Sequence, residues 1–221
     1  MRMEKQKSRK VGLFGGTFDP IHLGHLLTVN HVRQRVGLDS VHLVPAARPV
    51  HRSQPVASEQ HRMEMVRLAV DDFPGLVADD RELRRQGKSY SIDTICSLRL
   101  DYPDVRFALI VGMDQALAFD SWHRWEEILD QVDLIVMQRP DTLAPESKPG
   151  WWQEREADDL SMPRGGAKVI IIVPVPQLWI SGTALRRAIS RGDNLSHQLT
   201  PGVLNYINQF NLYRSNQMEH L

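Results

Sequence analysis

The chain has 221 residues, one cysteine, and 27 Lys plus Arg against 27 Asp plus Glu, enough length for one sizeable core and no net field that would point to nucleic acid or an anionic membrane as the main partner. Its longest apolar runs, FALIV at 107–111 and VIIIV at 169–173, are too short to span a bilayer, and no signal-peptide h-region follows the amino-terminal MRMEKQKSRK, so a protein that is neither membrane-embedded nor secreted is expected. A lone Cys96 excludes an intrachain disulfide and any cysteine-based zinc site and fits the cytoplasm; whether the protein is a monomer or a homo-oligomer stays open.

The elements alternate in chain order. VGLFGG (11–16) reads as a first strand, and residues 22–36 as a helix closed by Gly37. VHLVPA (41–46) is a second strand, 58–72 a helix opened by the capping residue Ser58, and LVADD (76–80) a weaker strand. A helix over 91–101 holds Cys96, whose residue type and place suit a small buried apolar side chain rather than a nucleophile. FALIVG (107–112), a helix over 122–131, DLIVMQR (133–139) and KVIIIVPV (168–175) follow, then helices over 181–191 and about 201–210. Residues 141–167 are polar with scattered Pro and Gly and read as a surface excursion.

Strands that are apolar almost throughout suit a parallel sheet covered on both faces. The chain therefore reads as α/β, a single doubly wound, Rossmann-like parallel sheet flanked by helices, spanning 10–213 with frayed tails at 1–9 and 215–221. Right-handed crossovers place the loops that follow the strands along one edge, where such folds bind ligands.

One junction carries chemistry. In GGTFDPIHLGH, residues 15–25, Gly15 and Gly16 let the chain turn tightly and present consecutive N–H groups to an anion. Asp19 can cap and Pro20 can occupy the first turn, aiming the positive end of the next helix into the same cleft. His22 and His25, three apart, fall on one face of that helix as two further donors. A zinc half-site and plain structural caps are alternatives, but no HExxH or nearby acidic or sulfur ligand completes a metal site. The stretch fits neither the Walker A pattern nor GxGxxG.

These residues resemble the T/HxGH signature of the nucleotidylyltransferase superfamily, and the longer form is similar to the bacterial nicotinate mononucleotide adenylyltransferases. PAARPVHR (45–52), SYSIDT (89–94), GMD (112–114), DSWHRWEEIL (120–129), LIVMQRP (134–140) and ISGTALR (180–186) resemble further elements of that family in its order, together covering roughly 10–213. The resemblance implies a nucleotidylyltransferase-type fold and adenylyl transfer from ATP to nicotinate mononucleotide, giving nicotinate adenine dinucleotide and pyrophosphate, with Mg²⁺ and no covalent intermediate. A reaction of this kind needs positioning and charge neutralisation more than a protein nucleophile.

On that resemblance His22, His25 and Arg186 serve catalysis, with phosphate contact able to hold a histidine protonated. Gly15, Gly16, Thr17, Phe18, Asp114, Arg139, Ser181 and Thr183 hold ATP, and Thr94, Trp122, His51 and Arg52 hold nicotinate mononucleotide. Within this assignment Trp122 stacks on the pyridine, Thr94 with neighbouring amides receives its carboxylate, and Trp125 is a half-buried anchor. The chain departs from the pattern at Val50, His123 and Gly182. Nicotinamide mononucleotide or another phosphorylated acceptor, and a non-catalytic ATP-binding module, are the competing readings.

Overall fold

The computed structural model describes residues 9–48, 54–141, 148–157, 159–163 and 166–214. Strands β1 (Lys10–Gly16), β2 (Ser40–Pro45), β3 (Leu76–Ala78), β4 (Arg106–Gly112), β5 (Asp133–Gln138) and β6 (Ile170–Pro174) form one sheet in the order β3-β2-β1-β4-β5-β6. Every neighbouring pair is parallel. The helices are α1 (Leu23–Val36), α2 (Glu59–Val70), α3 (Arg81–Arg84), α4 (Ser91–Asp101), α5 (Met113–Leu117), α6 (Trp125–Gln131), α7 (Gly150–Gln153), α8 (Gly182–Arg191) and α9 (Pro201–Gln209).

Period-two alternation sorts the strand side chains. Ala108 and Ile110 of β4 join one core with α1, α2, α8 and α9, while Phe107, Leu109 and Val111 join the other with α4, α5 and α6. Both faces being covered is why β4 has no polar residue between Arg106 and Gly112. Local signals set the helix ends: Gly37 closes α1 at φ +69, returning its N–H to the Arg33 carbonyl, and the Ser58 hydroxyl accepts from the His61 amide. Among the described residues no helix is long and apolar enough to cross a membrane.

Three expectations need correction. The helix expected over 122–131 starts only at Trp125. A 3-10 turn at Phe119–Ser121 precedes it, Trp122 is extended, and Arg124 adopts φ +56 with its guanidinium on Glu127 at 2.7 and 2.6 Å. Cys96 is half-buried, with its Sγ 3.8 Å from Gln131 Oε1. The excursion over 141–167 is no purely polar surface loop, because α7 lies within it and buries Trp152 completely. Trp151 packs on Phe119 at 6.0 Å and on Trp125 at 5.4 Å between ring centroids. Two adjacent tryptophans inside a polar stretch were the signal for this packing.

The sheet opens where the site lies. Pairing of β1 with β2 runs on to Gly16↔Pro45, but pairing of β1 with β4 ends at Leu13↔Leu109. Beyond that point the two strands no longer pair, at the position where strand order reverses, and a crevice forms at their carboxyl ends.

Candidate active site

Two cavities occupy this crevice, of about 570 and 170 Å³. They share Gly15, Gly16, Thr17 and Gln115 as a common wall. All eleven residues assigned from the sequence to ATP or to catalysis line the larger one. Trp122 lines the smaller.

The two glycines of the first turn do different work. A Cβ on Gly16 would sit 2.7 Å from the Phe18 ring, whereas one on Gly15 would meet nothing within 4 Å. Gly16 thus admits the buried Phe18, which holds the left-handed conformation at φ +50 and meets the His25 ring edge-on at 5.2 Å. Gly15 leaves open room for a ligand. Gly24, inside the His-x-Gly-His run, is equally constrained, since a Cβ there would lie 2.9 Å from His22 Nδ1.

Asp19 does not cap α1. The N-cap is His22, with φ −149, and the helix begins at Leu23. Asp19 instead accepts hydrogen bonds from the amides of Val56 at 2.8 Å and Ala57 at 3.1 Å and from the Tyr213 hydroxyl at 2.8 Å. Its carboxylate is saturated by groups remote in sequence. His22 and His25 do converge, by stacking: their ring centroids are 3.7 Å apart with planes 22° from parallel.

In the ligand-free site the His22 ring is held neutral. Burial, and secondarily the positive charge of Arg139, pushes its pKa down to about 4. Its ring is therefore neutral near pH 7. Its Nδ1 is buried with no hydrogen-bond partner among the described residues.

Across the cavity, α8 brings Ser181, Thr183 and Arg186. Ser181 is the N-cap, accepting from the Ala184 amide at 3.2 Å. Arg186 donates to the Asp19 carbonyl at 2.7 Å and to Thr183 Oγ1 at 3.3 Å. Gly182 lies close to this contact, since a Cβ there would be 3.3 Å from the Asp19 carbonyl oxygen. Asp114 lies in the first turn of α5, and its carboxylate folds back over Gly112, where a Cβ would be 2.7 Å from Oδ1. Arg139 stands exposed on the cavity wall just beyond β5. Two guanidiniums, two imidazoles and the amino end of α8 make this cavity suited to an oligophosphate.

The smaller cavity is lined by Glu82, Ser89, Tyr90, Ser91, Trp122 and His123 among others. Trp122 packs on Phe119 at 5.0 Å, and His123 on Tyr90 at 4.4 Å. Thr94 is not on its wall; the residue is buried and its hydroxyl donates to Glu82 Oε1 at 2.7 Å. Burial pushes the Glu82 carboxyl up despite that bond. His51 and Arg52 lie outside the described residues.

Arg62 was not foreseen. It is 1% exposed and donates to the carbonyls of Thr17 at 2.8 Å and Ala46 at 2.7 Å, tying the first two loops of the crevice together. Burial lowers its pKa, against the charge of Asp19. Gln115, on the wall common to both cavities, was also missed although it directly follows GMD.

Fold and site define a nucleotidylyltransferase, and the cytidylyltransferase-like family matches residues 13–188. A probable nicotinate-nucleotide adenylyltransferase of Aeromonas hydrophila is 38% identical over 92% of this chain and 97% of its own. One of Pseudomonas entomophila is 40% identical over 94% and 96%. The chain belongs to the nicotinate-nucleotide adenylyltransferase family. Its fold resembles that of a Plasmodium falciparum nicotinic acid mononucleotide adenylyltransferase solved with NaAD, at TM-score 0.71, 16% identity, and coverage of 93% of this chain and 97% of that one.

Proposed function

We propose that the chain transfers the adenylyl group of ATP to the phosphate of nicotinate mononucleotide, giving nicotinate adenine dinucleotide and pyrophosphate. The observation that carries this reading is the pair of cavities meeting at Gly15–Thr17. ATP fills the larger, with its ribose near Asp114 and its phosphates among His22, His25, Arg139, Thr183 and Arg186. The mononucleotide fills the smaller, with its pyridine on Trp122. An oxygen of its phosphate attacks the α-phosphorus in line across the shared wall. The bond to the bridging oxygen breaks, and pyrophosphate leaves with the electron pair.

This chemistry asks for fixed geometry and neutralised charge. His25 and Arg186 donate to oxygens that gain charge as pyrophosphate departs. His22, neutral when the site is empty, has a ring nitrogen to donate, and an adjacent triphosphate favours its protonated form. Mg²⁺ would enter with the ATP substrate, where it would neutralise part of the triphosphate charge.

Acceptance of the acid is supported by α4. Its N-cap, Tyr90, gives it no side-chain cap, and Tyr90 and Ser91 line the smaller cavity. Amide groups at that helix end suit a carboxylate better than an amide. The substrates are small cytoplasmic nucleotides. Pyrophosphate release with ATP and Mg²⁺ tests the reading: strong preference for nicotinate mononucleotide over nicotinamide mononucleotide is expected. Preference for the amide overturns the acceptor, and silence with both overturns the reaction.

A further inference from the structure

Three segments distant in sequence meet on Asp19. Asp19 is 7% exposed, and its two oxygens receive the Val56 and Ala57 amides and the Tyr213 hydroxyl. Its backbone carbonyl receives Nη1 of Arg186 at 2.7 Å, and the same Nη1 stands 3.7 Å from its carboxylate. The other arm of that guanidinium reaches Thr183 Oγ1 at 3.3 Å. Arg186 lines the larger cavity, whereas Tyr213 does not.

Only a carboxylate suits this junction. Three donors converge on the side chain beside a cation, and an asparagine would turn an NH₂ group toward one of those donors. Tyr213 is fully buried and holds φ +64, a conformation unusual for a bulky residue. Burial and the neighbouring Asp19 raise its pKa, so the phenol remains a hydrogen-bond donor. Asp19 in turn cannot rotate without breaking contacts to residues 56, 57 and 213 together.

We propose that Tyr213 and Asp19 are a positioning pair for Arg186: the phenol fixes the carboxylate, and Asp19 holds the guanidinium aimed at the phosphates. The far end of the described chain thereby takes part in orienting the phosphate site. The inference rests on reading the larger cavity as a triphosphate site and assigns one side chain there its supports.

The test is a cycle in the full-length protein, comparing Tyr213→Phe, Arg186→Ala and the double variant by kcat, by KM for each substrate, and by ATP affinity. Tyr213→Phe keeps the ring and removes one hydroxyl. It is expected to lower kcat/KM for ATP about 5-fold, with the KM for the acceptor within about 2-fold of the parent. In the Arg186→Ala background the same change should have almost no further effect, because its route is gone. Asp19→Asn should exceed Tyr213→Phe, at about 50-fold. Should that variant fail to fold, the Tyr213–Arg186 cycle still decides. Parental kinetics in Tyr213→Phe, even with lower thermal stability, overturn the proposal, as does an equal Tyr213→Phe effect with and without Arg186. A parent that binds ATP but transfers to no acceptor strikes the proposed reaction alone; ATP affinity then reads the pair, with the same 5-fold weakening expected at about 25 °C.

Discussion

At the amino ends of β4 and β5, Arg106 and Asp133 pair through two bonds of 2.6 and 2.7 Å while nearly or wholly buried; Arg106 also donates to the Ala167 carbonyl, and Asp133 accepts from the Val169 amide. At the carboxyl ends, His22 Nδ1 and Arg62 Nε are buried without partners among the described residues, and Phe18 sits in a left-handed conformation. The Arg106–Asp133 pair neutralises its own buried charges, while Ser40 Oγ at the amino end of β2 has no partner among the described residues. The carboxyl end of the sheet holds strained and under-bonded groups in place through contacts from remote segments. The difference teaches where to look for function, since such groups persist only where the surroundings over-determine them.

Four experiments can break or sharpen this contrast. The largest effect is expected from Asp133→Ala, which strands the Arg106 charge in the core and should cost roughly 3–5 kcal/mol of stability. Thermal unfolding should show a melting point lower by about 10 °C. Turnover well below the transition should stay parental; a matching loss of kcat would mean the two ends are not separate.

His25→Ala should do the reverse, cutting kcat by roughly 10²-fold with little change in ATP affinity or melting point. Near-parental turnover in a steady-state assay would remove His25 from the transition state.

His22 gives a pH signature. Its folded pKa lies near 4 against an ordinary 6.5, so above pH 6.5 it is neutral in both states and its contribution is constant. As pH falls from 6.5 toward 4 the unfolded chain takes up a proton that the folded chain refuses, and stability drops by roughly 2–3 kcal/mol. Urea midpoints across that window should slope less for His22→Gln than for the parent; parallel curves would contradict the burial account.

The smallest effect belongs to Gly24→Ala. Its Cβ would stand 2.9 Å from His22 Nδ1, so the ring must shift. A drop in kcat of about 10-fold is expected, while the gain of roughly 1 kcal/mol in helix propensity keeps the melting point close to parental. Unchanged turnover would show that the stacked histidine geometry is dispensable.

Much of this molecule could be read before its structure. Apolar runs located all six strands, and caps at Ser58 and Gly37 placed helix ends to within about a residue or two. Resemblance brought eleven residues onto one cavity wall. What escaped depends on contacts formed only in three dimensions. Asp19 before Pro20 has the local features of a cap, but its three partners lie at 56, 57 and 213. Arg62 looks like an ordinary helix-surface arginine until the carbonyls at 17 and 46 converge on it. Thr94 lies within the right motif yet faces Glu82 behind the wall.

The most direct test of the two-cavity account is a crystal structure of this chain with the dinucleotide product. The account places adenosine beside Asp114, the pyrophosphate bridge over Gly15–Thr17, and the pyridine against Trp122. A product lying wholly within the larger cavity, or with its pyridine on the Arg139 side, would contradict it.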